Sequence, residues 1–283
     1  MTVRMVIFGA GGFLGGALHR EFPEASVPRI DIADGSAVRE VLRRERPDVI
    51  INAAGKTGRP NVDWCEVHRA ETIHSNVIGP LVLNEACQEQ GVLLVHIGTG
   101  CVYMGDNAGR GFSEQDVPNF SGSFYSRTKA CVDSLLAEFP VLVLRPRMPF
   151  DGSHHPRNLL SKLVHYPRVL DEPNSLTYIP DFVNVAKTLI EWRATGVYNV
   201  VNPGVISPYE IMQLYQQHVD ARHSFDRLET EQLEEVATAG RSSCHLSVEK
   251  LDSEGITMPP VRVALLQALN DWNLRFKPEH PNG

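Results

Sequence analysis

The stretch VRMVIFGAGGFLGGALHREF, residues 3–22, decides the fold. The apolar run Val3–Phe8 reads as a buried strand, GAGGFLGG as a turn, and Ala17–Phe22 as a helix. Gly9, Gly12 and Gly15 set a G-x-x-G-x-x-G spacing between strand and helix. Glycine permits a tight turn and lets a pyrophosphate come close to the backbone. The helix N-terminus adds unpaired N–H groups and a partial positive charge. A Gly-rich turn by itself can be only a turn. Between a strand and a helix it predicts a dinucleotide loop, with Gly9, Gly11, Gly12, Phe13, Leu14 and Gly15 against the cofactor.

Outward from that unit, strands and helices alternate. A short strand is expected near Val27–Ile32, then an amphipathic helix Ala37–Arg46 led in by Gly35 and Ser36. Asp48–Gly55, Val92–Gly100 and Val141–Pro146 read as further strands, and Glu71–Gln90 and Ser126–Glu138 as helices. The strands are continuously apolar, which implies a parallel sheet covered on both faces: an α/β, Rossmann-like, doubly wound fold. Beyond Pro149 the rhythm loosens. Arg157–His165 and Pro208–Val219 look helical, and Gly196–Gly204 looks like a return to the sheet. The expected organisation is an NAD(P)-binding domain over 1–150, rejoined by 179–206. A smaller substrate-binding lobe comes from 151–178 and 207–283, with a frayed tail at Lys277–Gly283.

Composition narrows the function. The 283 residues carry a net charge of -7, with 42% hydrophobic and 22% charged residues. A globular chain of that sign is a poor general binder of nucleic acid or anionic membranes. A phosphate-bearing ligand must then be held by local Arg residues and backbone N–H groups. No apolar run approaches the roughly 18 residues of a membrane span. The first strand begins almost at Met1, so no signal peptide is expected. The five cysteines form neither a CxxC pair nor a metal-ligand spacing. Scattered cysteines of odd number point to a reducing cytoplasm. The histidines, His154–His155 included, show no metal spacing.

Asp31, beside Ile32 at the end of the second expected strand, lies near where an acid would hold an adenosine ribose. That segment is short, so Asp31 either does this, touches adenine, or begins a turn. Arg29 either pairs with a 2′-phosphate or is a solvated surface residue. NADPH is favoured on this basis, with NADH left open. Tyr125 and Lys129 form Y-x-x-x-K, which on a helix shares one face. An ammonium there favours the phenolate and should depress the Tyr pKa from about 10. Such a Tyr can exchange a proton with a carbonyl or alcohol. Thr99, ending an apolar strand, offers a hydroxyl to the same oxygen.

The Gly motif, NAAG (Asn52, Ala53, Ala54, Gly55), Thr99 and the Tyr125/Lys129 pair resemble the extended short-chain dehydrogenase/reductases. Within them the chain is similar to the dTDP-4-dehydrorhamnose reductases. It is more closely similar to the bifunctional NDP-4-keto-6-deoxyglucose 3,5-epimerase/4-reductases of UDP-rhamnose synthesis. The matching stretches are NAAGKTGRPNVDWCE, GTGCVY, PNFSGSFYSRTKA, RPRMP, PRNLLSK, PNSLT and NPGVIS, and they cover residue 6 to about residue 210. The Gly loop and the short second strand depart from the pattern.

The resemblance implies further roles. Asn52–Gly55 would border the cofactor, and the loop after them would lie beside nicotinamide and sugar. Thr57, Arg59 and Asn61 become candidate substrate contacts, while Trp64 and Cys65 pack. Arg147, Asn158, Asn174 and Arg241 become diphosphate or sugar contacts. Asn76 either assists a proton relay or bonds backbone. The epimerisation Cys falls at Cys101 and its partner at Lys162. A C4 ketone acidifies the C3 and C5 hydrogens, so inversion needs a base on one face and an acid on the other; a thiolate can be the base. Without the resemblance, Cys101 reads as a structural thiol and Lys162 as a surface lysine. The implied partner is a nucleotide-diphosphate 4-keto-6-deoxy sugar, and a homodimer is compatible. Two rival readings remain: a reductase without epimerisation, and a cofactor-binding regulatory subunit without turnover.

Overall fold

Aliphatic runs just long enough to cross a sheet set the strands of the computed structural model, which describes residues 3–59 and 61–275. In chain order these are β1 (Met5–Phe8), β2 (Val49–Asn52), β3 (Leu93–Ile97), β4 (Leu142–Arg145), β5 (Pro149–Phe150), β6 (Arg168–Leu170), β7 (Asn174–Tyr178), β8 (Gly196–Asn199), β9 (Asn202–Ile206) and β10 (Asp226–Leu228). The main sheet has the order β1-β2-β3-β4-β8 and is parallel throughout, with Ile7 beside Ile51 and Ile51 beside Val95. The expected tail, Lys277–Gly283, lies outside the described residues.

Helices cover both faces: α1 (Phe13–Glu21), α2 (Gly35–Glu45), α3 (Asp63–Val67), α4 (Arg69–Ile73), α5 (Gly79–Gln90), α6 (Phe124–Leu136), α7 (Leu159–Leu163), α8 (Ile179–Glu191), α9 (Pro208–His218), α10 (Glu249–Ser253) and α11 (Val261–Arg275). Alternate strand residues point to opposite faces. Ile7, Ile51, Val95 and Leu144 pack with α1 and α8, and Val6, Ile50, Leu94 and Val143 with α2, α5 and α6. Burial on both sides explains why these strands read as unbroken apolar runs. A separate core gathers Phe150, Leu160, Leu176, Ile206, Met212, Leu265 and Trp272 around the three-stranded sheet β5-β7-β9.

Three expectations need correction. The strand near Val27–Ile32 shrinks to one bridge between Ser26 and Val6. Pro28 has no N–H for a ladder. Asp31 then accepts from the Ala33 N–H at 3.0 Å, and Asp34 caps α2 through Ser36 and Ala37, bending the chain away. The return to the main sheet ends at Asn199, and Asn202–Ile206 pairs antiparallel with β7 instead. The helix expected over Glu71–Gln90 contains a π-helical turn, His74–Ile78. Pro80 cannot give the usual hydrogen bond, and the register shifts just before it.

Candidate active site

Open α/β sheets bind ligands beyond the carboxyl ends of their strands. The loops after β1, β2, β3 and β4 carry about half of the residues singled out from the sequence. After β1, Gly9 has φ +82°, and a Cβ there would lie 2.5 Å from the Ala53 backbone. A Cβ on Gly15 would lie 2.2 Å from the Gly9 carbonyl oxygen. These two glycines let the loop, the helix and the β2 end close on one another. Gly12 caps α1 with no side chain in the way, which leaves the helix N-terminus open to an anion.

A cavity of about 500 Å³ lies there, between Gly11, Gly12 and Gly16 on one side and Asp151, Ser153 and His155 on the other. The His155 ring stacks on Phe13 with centroids 4.6 Å apart. A bare Gly turn, an open helix end and a cavity together fit a dinucleotide pyrophosphate. Leu14 packs on the core and Ile32 is buried beneath the π-turn, so both shape the site from behind. Asp31 is exposed and bonds His74 Nε2 at 2.9 Å; with the Ala33 N–H bond leading and His74 next, its carboxyl is held below the usual range. Arg29 is exposed.

Thr99 follows β3, and Tyr125 and Lys129 lie on α6. The expected depression of Tyr125 is not what the structure gives. Burial, then the neighbouring Cys101, push its hydroxyl upward, and a hydrogen bond with Thr99 opposes them only in part. The Lys129 amine is engaged elsewhere. Its Nζ lies 2.9 Å from His96 Nε2 and donates to the Ile97 carbonyl at 2.9 Å. Burial holds the amine below the usual lysine range. The geometry gives a half-buried phenol, suited to donate a proton.

Thr99 also reaches Cys101, whose N–H bonds Thr99 Oγ1 at 3.1 Å. Arg147 was expected to touch substrate. It is buried instead, with Nη1 2.6 Å from Cys101 Sγ and Nη2 on Asn174 Oδ1 and the Ser242 carbonyl. Only Nε lacks a partner. The next residue, Met148, has φ +42°, a strained value for a side-chain-bearing residue, so the turn that aims Arg147 is held by its surroundings. Asn174 accepts from Arg147 and the Cys244 N–H and donates to Glu172 and Ser243; it organises the arginine. Asn158 is fully buried and spends its amide on capping α7 and tying down Asp151 and Ser153. Both asparagines are buried and bonded largely to backbone.

Lys162 is half-buried on α7, and burial first, then the Arg157 guanidinium, lower its amine below the usual range, while Cys101 acts the other way. Arg241, also within its electrostatic reach, makes a paired contact with Asp63 at 2.9 and 3.1 Å. Arg157 donates to Thr57 Oγ1 at 2.7 Å. Neither Arg157 nor Lys162 has a carboxylate partner among the described residues. In a chain of net charge -7 that concentration of cations suits a diphosphate.

The loop after β2 is built by its own contacts. Asn76, from the π-turn, holds Lys56 at both ends, accepting its N–H at 2.7 Å and donating to its carbonyl at 2.9 Å; it bonds backbone. Asn61 accepts the Asp63 N–H, Cys65 is buried, and Trp64 stacks on His68. Arg59 is exposed. Sequence reasoning missed His155, Arg157 and His96. Arg157 lies in the matching stretch PRNLLSK but was given no role there, and one of two adjacent histidines carries no motif. His96 did leave a signal, as the single polar residue inside an apolar strand.

Comparison with known proteins agrees with this geometry. The sequence model of the RmlD substrate binding domain matches residues 3–274. A bifunctional dTDP-4-dehydrorhamnose 3,5-epimerase/dTDP-4-dehydrorhamnose reductase of Arabidopsis thaliana is 36% identical, over 96% of this chain and 94% of its own. The crystal structure of a UDP-rhamnose synthase from Acanthamoeba polyphaga mimivirus superposes with TM-score 0.91 at 29% identity, over 96% of this chain and all (100%) of the other. A dTDP-4-dehydrorhamnose reductase of Bacillus anthracis in complex with NADP gives TM-score 0.83 at 25% identity, over 96% of this chain and 100% of the other.

Proposed function

The chain belongs to the RmlD substrate-binding-domain family, and from that footing we propose that it converts an NDP-4-keto-6-deoxy-D-glucose into an NDP-L-rhamnose. It epimerises C3 and C5 and then reduces C4. The observation that carries this reading is the clustering at Thr99: its Oγ1 takes the Cys101 N–H at 3.1 Å, and Tyr125 lies close enough to Thr99 and Cys101 for both to act on its hydroxyl. The groups for proton abstraction and for ketone reduction therefore stand at one carbonyl-sized site.

In this mechanism Cys101 removes the proton that the C4 ketone acidifies, and Lys162 returns one from the opposite face. Thr99 and Tyr125 hold the C4 oxygen. NADPH, when bound, supplies the hydride for C4. Tyr125 then gives its proton to the oxygen, and Lys129 orients the ribose beside it. Gly9, Gly11, Gly12 and Gly15 with the α1 N-terminus hold the pyrophosphate, and Asn52–Gly55 border the nicotinamide half. Arg241, Arg157 and Thr57 take the substrate side, with 151–178 and 207–275 as the substrate-binding lobe.

A reductase without epimerisation is the second reading. It is favoured by the likeness to the NADP-bound dTDP-4-dehydrorhamnose reductase of Bacillus anthracis, which superposes with TM-score 0.83. Incubation with UDP- and dTDP-4-keto-6-deoxyglucose plus NADPH, with products resolved by NMR, tests both. An L-rhamnose product from either nucleotide supports the bifunctional reading; reduced product retaining the starting C3 and C5 configuration removes it. A reducing cytoplasm is supported by five free cysteines. A homodimer is supported by the exposed apolar side chains Ile73, Ile78 and Leu135 on adjoining helical segments, and sedimentation checks it.

Cofactor choice has its own test. Arg29 is exposed near Asp31, free to meet a 2′-phosphate. Arg29→Ala should weaken NADPH binding by about 1.5–3 kcal/mol, the scale of a charge-assisted hydrogen bond, and leave NADH nearly untouched. Titrations showing equal losses for both cofactors, or none, return Arg29 to the solvated surface.

A further inference from the structure

We propose that His96 is a positioning residue, locked by Asn52 in its Nε2–H tautomer, which makes Lys129 a neutral amine in the ligand-free protein. The inference rests on the reading of Lys129 as the site lysine, and goes beyond it.

His96 lies in β3 with no exposed surface (0%), in a run where Val or Ile would serve the packing. A buried imidazole must satisfy both ring nitrogens. Nδ1 lies 3.1 Å from Asn52 Nδ2, and Nε2 lies 2.9 Å from Lys129 Nζ. The Asn52 amide cannot be turned round, because its Oδ1 takes the Ala54 N–H at 3.1 Å. Its nitrogen therefore faces His96, and an amide nitrogen only donates. Nδ1 must accept. A neutral imidazole then carries its one hydrogen on Nε2, aimed at Lys129.

An ammonium has three hydrogens and no lone pair. Placed against Nε2–H it would set donor against donor. A neutral amine accepts that hydrogen and still donates to the Ile97 carbonyl at 2.9 Å. The other assignments fail at Asn52, since an Nδ1–H tautomer and an imidazolium both oppose two donors there. Burial favours the neutral state of both groups, lowering the His96 imidazole and the Lys129 amine. The nearest carboxylate from α6, Asp133, is itself paired with Arg145 at 3.3 Å. With no ammonium beside it, the Tyr125 phenol keeps its proton. The resting site thus stores the proton that ketone reduction consumes.

The test is 15N NMR of the ligand-free full chain labelled in histidine and lysine. Tautomers separate by their ring 15N shifts and two-bond couplings. The His96 signal is assigned by its loss in His96→Gln, or in His96→Asn should that variant not fold. The expected result is an Nε2–H signature for His96 and an amine shift for Lys129. Asn52→Asp replaces the donor at Nδ1 by an acceptor, and should move His96 to Nδ1–H and Lys129 to ammonium. An Nδ1–H or doubly protonated His96 in the wild type overturns the proposal, as does an unchanged tautomer in Asn52→Asp. No substrate is present, so failure of the epimerase or reductase assays leaves these spectra, and this inference, standing.

Discussion

Tyr125→Phe should lower turnover in C4 reduction on the order of 100-fold or more, the usual contribution of a positioned general acid. Phenylalanine keeps the ring and its packing on α6 and removes only the hydroxyl. Burial and the neighbouring Cys101 raise that hydroxyl above the ordinary tyrosine range. A raised acid stays protonated through neutral pH, so the proton lost in the variant is one the wild type always holds. The effect should fall on kcat with a pre-epimerised 4-keto substrate. NADPH binding, followed by fluorescence titration, should barely change, because the Gly loop and α1 are untouched. A variant that reduces substrate at near wild-type rate would remove Tyr125 from the chemistry, whatever its place beside Thr99.

The parts of this site that were legible in the sequence depend on local spacing. Gly9, Gly12 and Gly15 could be read because backbone approach demands glycine at those positions. Tyr125 and Lys129 could be read because i and i+4 share a helical face. The main-sheet strands could be read because burial on both faces erases polar positions. What could not be read there depends on long-range hydrogen bonding. Arg147, Asn158 and Asn174 look like ligand contacts in a linear sequence. Only the fold reveals that they face Cys101, the α7 start and Ser243. The charge state of the Tyr125/Lys129 pair was misread for the same reason. It is set from β3 and β2, 33 residues from Lys129 to His96 and 44 more to Asn52, beyond the reach of any helical pattern.

Cys101→Ala should abolish solvent exchange at C3 and C5 while leaving the reduction groups in place. Proton abstraction next to the C4 ketone exchanges those hydrogens with water; hydride delivery to C4 does not. In deuterium oxide with unlabelled NADPH, the wild-type product should carry deuterium at C3 and C5 and ordinary hydrogen at C4. The bond from Cys101 to Thr99 is made by its backbone N–H, which alanine retains. The variant should therefore still reduce a pre-epimerised substrate. Lys162→Ala should spare part of the exchange and impair completed inversion, because the proton donor of the opposite face is gone. Tyr125→Phe should spare exchange as well, which separates the two chemistries within one site. Free 4-keto sugars enolise slowly, so each rate is compared with a protein-free control. Exchange that persists unchanged in Cys101→Ala would remove the thiol from the mechanism and leave Arg147 bound to a structural cysteine. A wild type that reduces without any enzyme-dependent exchange would leave only the reductase.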